Sequence, residues 1–553
     1  MASAFGATPL GLASRILNLG EVLSRKPALK VPRYQRPYTW TDSEVRELIQ
    51  DLWRAYQRKA SFYFIGQIVL VKNRGKLEIS DGQQRLVTLT MLLAYARDRL
   101  PGRAKQYQSL IMDGDEPRLM LRKEEVNFFL GWVQEPGKMK QLTAHPETGT
   151  EVRDLLIQAS QTIDLEMQKI KDDRELDSFL SYVVRCCTLN VVDADERGCA
   201  QTVFNSLNKR GSPLSGADII KSDLIENSGL SEEQADSAAR KWEETESLFE
   251  RDDFAHLLYM MPFLLTGEPL LSPGDLGSFR TAVDRAGGVY EFLFEQLPRY
   301  ALALRSIFAG SINVGVASAD VNRRVAMMKQ VERWDWAPAA IAFLAEHSDQ
   351  PERARKFFQT LDRFVFACEL SVVDNRVRER RYGMAVKNIG DDKVLHSEKA
   401  LGLTETENSD FIFALHRSRK RDRQRRLLLM RLEAAMTNGA VLSMTDDVTV
   451  EHVLPKSGSS AWWNERFPDP GMRSDLANLL GNLILITYDQ NKDADTKPYP
   501  KKKQIYFDTP NAPIYALTKD IAPIDDWNMR VIEERQERLV RILSEDWGLV
   551  RGG

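Results

Sequence analysis

The sequence predicts a multi-domain α+β protein: a mixed α/β domain at the N-terminus, a helical middle, and a small domain of strands and loops at the C-terminus. Three observations predict it. Up to about residue 225, strand-like runs of Ile, Val and aromatic residues alternate with helix-like ones. From about 226 to 436, apolar positions recur at helical spacing without a fixed-period repeat, the pattern of a bundle. Beyond about 440, two strand-like runs return around a loop rich in Trp, Pro, Gly and Ser. The predicted domains are 1–225, 226–438 and 439–553, and 553 residues suffice for roughly two to four.

Bulk composition narrows the function classes. With 43% hydrophobic and 28% charged residues the chain reads as globular with ample core. A net charge of −3 argues against a globally basic nucleic-acid binder, so any DNA-contacting surface has to be local. Cys186, Cys187, Cys199 and Cys368 form no CxxC pair, which disfavours a zinc site and a disulfide framework and suits reduced thiols in a cytoplasmic protein. The start, MASAFGATPLGLASRIL, lacks the basic and apolar regions of a secretory signal. No run of about 18 apolar residues predicts a membrane span.

In the first domain, VPRYQRPYTW (Val31 to Trp40) packs two Arg, one Gln, three aromatics and two Pro into ten residues. FYFIGQIVLV (Phe62 to Val71) reads as a buried strand, Lys72 to Gly75 as a turn and KLEIS as a second strand. Asp81-Gly82-Gln83-Gln84-Arg85 follows as a polar loop, and Leu86 to Leu100 reads as a helix stopped by Pro101. Taken alone, the loop is a hydrogen-bonded turn with a buried Asp–Arg pair. VFNSLNKRGSPLSGADIIKSDLI (Val203 to Ile225) contains an Asn-Lys-Arg-Gly turn and then a helix start.

In the middle, Ser231 and Gln234 have capping-box spacing. WAPAAIAFLAEH and FFQTLDRFVFACEL read as apolar helices. Between Arg417 and Arg426 lie seven basic residues and one acid, Asp422. Such a run is either a solvated helix face or a phosphate contact.

In the last domain, DDVTVEHVLP and LLGNLILIT read as strands, and NKDADTKPYPKKKQIY follows as a polar, basic segment. His452 stands within the first strand, beside Glu451; Asn482 follows Gly481, and Asn491 comes after the second strand.

This order of histidine, asparagine and asparagine resembles the HNH, or ββα-metal, nuclease module, in the version that ends many modification-dependent restriction enzymes. The resemblance implies His452 as general base, Asn482 as the residue fixing the histidine's loop, and Glu451 and Asn491 as ligands of Mg²⁺ or Mn²⁺. Asp493, Asp495 and Thr496 are candidates for a further polar ligand. Phosphodiester hydrolysis suits these groups: a neutral imidazole takes the water's proton, and a hard cation held by oxygens stabilises phosphate and leaving oxygen. Lys501, Lys502 and Lys503 are either surface solubility or grip on DNA phosphates.

At the other end, VPRYQRPYTW, the Asp81–Arg85 loop and the Asn-Lys-Arg-Gly segment together resemble the GmrS-type domain, related to ParB and sulfiredoxin folds. That domain heads the GmrSD family of type IV restriction enzymes, and SspE-like and BrxU-like antiphage effectors share the layout. The likeness covers most of residues 8 to 225 and 440 to about 510. It implies binding and hydrolysis of a nucleoside triphosphate, GTP or ATP, by Arg36, Asp81, Gly82, Gln83, Gln84, Arg85, Lys209 and Arg210, with Asp81 and Arg85 catalytic. No GxxxxGK[ST] loop is present. Tyr34, Gln35 and Tyr38 are candidates for sensing a modified base, and Trp40 for the core.

The expectation is a cytoplasmic, nucleotide- and metal-dependent endonuclease acting on modified or phage DNA, with homo-oligomers or other defence subunits as further partners. The rival is a non-catalytic, nucleotide-gated DNA-binding or regulatory protein with a degenerate HNH scaffold. An RNA-directed nuclease would share the phosphate chemistry.

Overall fold

The computed structural model describes residues 12–549 except 34, 74, 195–215, 227, 269–275, 371, 418–421, 438–447 and 457–459. The chain divides into two compact units, Met1–Arg240 and Lys241–Gly553. The first is mixed α/β; the second is mainly helical, with one two-stranded sheet.

In the first unit the strands are β1 (Leu12–Asn18), β2 (Leu29–Lys30), β3 (Tyr63–Asn73), β4 (Lys76–Asp81), β5 (Met112–Asp113), β6 (Glu116–Pro117), β7 (Leu119–Met120) and β8 (Cys187–Ala194). Six of them form one sheet in the order β1-β8-β3-β4-β2-β7, while β5 and β6 pair separately. β8 lies antiparallel to β1 and parallel to β3, and β3 turns back antiparallel into β4. The run Ile68–Val71 is buried without alternation, as expected of a strand covered on both faces.

The polar loop after β4 is shorter than the sequence suggests. The helix begins at Gln83 rather than Leu86 and runs to Arg99. Gly82 makes the break, with φ of +91° at the N-cap. A Cβ there would fall on the Ile68 side chain, so this turn admits glycine alone. The helix is apolar on nearly every side and sits inside the core, against helices Ala104–Ile111 and Glu151–Met167. Helix Asp42–Gln57 opens with a capping box between Thr41 and Glu44. Ser231 and Gln234 exchange the two bonds their spacing predicts, at 3.2 and 3.0 Å.

In the second unit the expected helices form at Ala337–His347 and Pro351–Glu369, and Phe343 stacks on Phe357 between them at 4.1 Å. Strands β9 (Val448–His452) and β10 (Leu483–Thr487) pair antiparallel, with His452 opposite Leu483. The expected loop between them folds into two short helices, Ala461–Arg466 and Pro470–Ala477, because Ser460 and Asp469 cap their N-termini. Helices Tyr488–Ala494, Tyr499–Asp508 and Met529–Trp547 follow.

A buried ionic cluster ties this end to the helical bundle. Arg431 is wholly buried and donates to Asp362, from helix Pro351–Glu369, and to Asp546, from the last helix. Arg324 joins Asp362 at 3.0 Å, and Arg323 joins Asp546 at 2.8 Å. No described helix is long and apolar enough to cross a membrane.

Candidate functional site

Strand β9 places neighbouring side chains on opposite faces, and this separates His452 from Glu451. Glu451 points into the core. Lys502 Nζ donates to its Oε1 at 2.6 Å and Tyr506 OH at 2.7 Å. The Lys502 side chain is 0% exposed and that of Glu451 5%. Burial raises the Glu451 carboxyl against the pull of Lys502, and the same burial lowers the Lys502 ammonium.

His452 lies half-buried on the other face, and its Nε2 is covered with no hydrogen-bond partner. Burial pushes the ring down to about 3; Lys456, Arg425 and Lys502 add to the shift and Asn478 opposes it. Burial thus disfavours the charged imidazolium at this position.

Asn482 is wholly buried and holds the chain just after His452. Leu454 N–H donates to its Oδ1 at 2.7 Å, Trp527 Nε1 donates to the same oxygen at 3.1 Å, and its Nδ2 donates to Leu454 O and Ala477 O. All four polar contacts are internal, so Asn482 positions backbone rather than touching a ligand. Gly481 permits this approach, since a Cβ there would fall on Ile532 O of the last helix. Arg535 completes the clamp, donating to the carbonyls of Leu480, Gly481, Leu483 and Leu517.

Asn491 is half-buried on helix Tyr488–Ala494, and its Nδ2 donates to Thr449 Oγ1 and Val450 O, both at 3.1 Å. It thus binds its helix to β9 just ahead of His452. Among the described residues no group of three or more His, Cys, Asp and Glu side chains is placed to hold a metal ion. The expected pair of ligands does not fit as it stands, because the Glu451 carboxylate is taken by Lys502 and Tyr506.

The basic segment corrects a second expectation. Lys502 is core, not DNA grip, since its ammonium is sealed against Glu451. Lys503 donates to Ile524 O and Asp525, leaving Lys501 as the exposed member of the three. Beside His452, Arg425, from the basic run Arg417–Arg426, joins Lys456, Ser474, Ala477 and Asn478, which the sequence did not single out, to line a pocket of about 310 Å³.

In the first unit, the Asp81–Arg85 turn is wired to the Gln35–Thr39 segment. Gln84 accepts from Thr39 N–H and donates to Pro37 O, each at 2.9 Å, and Gln83 donates to Arg36 O. Arg85 donates to Gln67 O at 2.6 Å across Gly66, whose φ of +130° and missing side chain make room for the guanidinium. Its bond is thus to backbone rather than to Asp81. Arg36 pairs through two nitrogens with the buried carboxylate of Asp218.

The sensing candidates fall differently from expectation. Gln35 is buried and donates to Ser80 O; Tyr38 is buried against Thr88, and burial drives its hydroxyl pKa upward. Neither presents an exposed surface, and Trp40 is a half-buried neighbour of the core. Tyr34, Lys209 and Arg210 lie outside the described residues. Among the described residues, Arg36, Tyr38, Gln83, Gln84, Arg122 and Glu125 line a cleft of about 10 Å³, room for roughly one water.

Residues 19–225 match the family model described as the N-terminal domain of GmrSD restriction endonuclease, and residues 405–542 match the model of the C-terminal domain of GmrSD restriction endonucleases. No curated protein matches the chain.

Proposed function

The chain belongs to the GmrSD family of type IV restriction endonucleases, and from that premise we propose that it hydrolyses DNA phosphodiesters at an HNH-type centre built on His452. The observation that carries this reading is the placement of that ring: its Nε2 has no hydrogen-bond partner, and the chain just after it is locked at Leu454 by Asn482. Two buried hydrogen bonds between Asn482 and Leu454 fix the backbone just beyond the histidine, and Asn482's bonds to Trp527 Nε1 and Ala477 O hold the amide itself in place.

In the proposed reaction the imidazole takes a proton from water as the water oxygen bonds to phosphorus. The phosphorus–oxygen bond to the leaving group breaks, and that oxygen gains a proton to become a hydroxyl. One DNA end then carries a phosphomonoester and the other a free hydroxyl. Mg²⁺ or Mn²⁺ is the cation that the HNH likeness implies. Asn491 is the remaining candidate ligand of the expected pair, with Glu451 committed elsewhere.

For the first unit we retain nucleotide hydrolysis at the Asp81–Arg85 turn as part of the proposal, with GTP or ATP as substrate. Arg85 supports it, because its guanidinium has donors beyond the bond to Gln67 O. Modified or phage DNA is the proposed substrate of the whole chain.

The test is plasmid and phage DNA, modified and unmodified, incubated with the protein, divalent metal and nucleotide. Cleavage lost in His452→Ala and nucleotide hydrolysis lost in Arg85→Ala would support the division of labour. Loss of both activities in either variant would overturn it.

A further inference from the structure

We propose that the pocket lined by Arg425, Lys456, Ser474, Ala477 and Asn478 is the subsite for a DNA phosphate beside His452; this deepens, and rests on, the assignment of that histidine above. The helix Asp422–Met436, which precedes the nuclease strands, thereby takes part in holding the substrate.

The pocket's size suits a phosphodiester segment: about 310 Å³, at the lower end of the roughly 300–1,000 Å³ of ligand pockets. Its lining offers a guanidinium, an ammonium, a hydroxyl and an amide, and no carboxylate. Those are the groups that hydrogen-bond an anion.

Arg425 is built into the site rather than loosely placed at its edge. Its side chain is 5% exposed, Nη1 donates to Asn478 Oδ1 at 2.9 Å, and Nη2 donates to Asp422 Oδ1 at 2.9 Å. A guanidinium held in one orientation offers its donors at low entropic cost. Asn478 is itself anchored through Nδ2 to Ser474 O.

Asp422 pairs with Arg426 as well as Arg425, each at 2.9 Å. Lys456 adds a further cation at the exposed rim. The pocket's Arg425, Lys456 and Asn478 all act on the His452 ring, whose covered Nε2 has no hydrogen-bond partner.

The test uses the full chain with His452→Ala as background, so that DNA binding is read without cleavage. A fluorescein-labelled 30-base-pair duplex is titrated by anisotropy across a range of salt. Lys456→Ala lies at the rim and leaves the buried bonds intact. It is expected to weaken binding about tenfold at low salt and to lower the salt slope by about 1. Arg425→Lys, which keeps charge but removes the two-pronged contact, is expected to weaken binding as well. Unchanged affinity and slope in Lys456→Ala would overturn the subsite, whatever Arg425→Lys does. The histidine assignment fails separately: if His452→Ala cuts DNA as the parent does, that reading falls while the binding titration still judges the pocket.

Discussion

Lys502 Nζ lies 2.6 Å from Glu451 Oε1 with both side chains shut away from solvent, one residue from the candidate catalytic histidine. This buried pair sets the face on which His452 emerges, because it anchors β9 to helix Tyr499–Asp508. Removing one partner leaves a buried charge with no counter-ion. Lys502→Ala is expected to destabilise the second unit by about 3–5 kcal/mol. The double variant Glu451→Gln with Lys502→Met should recover part of that loss. Urea denaturation followed by tryptophan fluorescence measures both; equal stability of Lys502→Ala and parent would show that the pair does not hold the strand.

Asn482 gives a second prediction. Its side chain makes four internal hydrogen bonds, so truncation strands Leu454 N–H, Trp527 Nε1 and two carbonyls. Asn482→Ala is expected to cost about 2–4 kcal/mol and to reduce DNA cleavage through loss of loop position. The distinguishing readout is hydrogen exchange at Leu454, which should rise; protection equal to the parent's would remove Asn482 from the clamp.

Gly82→Ala tests the first unit. The backbone at φ +91° and the nearby Ile68 side chain both oppose a Cβ. The expected loss is roughly 1–3 kcal/mol, and because the turn carries Gln83, Gln84 and Arg85, nucleotide hydrolysis should fall with it. Thermal melting of the variant checks the first part and phosphate release the second.

The ionic cluster predicts a pH dependence. Burial alone would raise the Asp546 carboxyl, but Arg431, Arg323 and Arg324 outweigh it and hold it down to about 2. An unfolded Asp takes up its proton near 3.9. Between those values the unfolded chain binds more protons, so the stabilisation is complete above about pH 4–5 and is lost as pH falls toward 2. The contribution is roughly 2 kcal/mol. Asp546→Asn should flatten that slope in denaturant titrations between pH 2 and 5, and an unchanged slope would contradict the assignment.

Much of this architecture is written locally in the chain. β3, β4, β9 and β10 follow from short runs of Ile, Leu and Val, and helix Gln83–Arg99 from its apolar run and Pro101. What escaped a local reading depends on distance in sequence. Lys502 sits in a run of three lysines that looks like surface, yet Tyr499, Lys502 and Tyr506 share one buried helical face, and that i, i+3, i+7 spacing was the available signal. Gln35 and Tyr38 look like an exposed amide and an exposed phenol until Ser80 and Thr88 come to meet them. Nothing local links Arg425 to Asn478, 53 positions away, so the basic pocket beside His452 emerges only in three dimensions.

The central claim is that one imidazole accepts the proton of the attacking water. Its most direct test is DNA cleavage by His452→Ala, with melting temperature and nucleotide hydrolysis measured on the same preparation. Cleavage is expected to fall about 100-fold or more, with folding and nucleotide turnover unchanged. Cleavage at the parent's rate by a folded His452→Ala protein would contradict it.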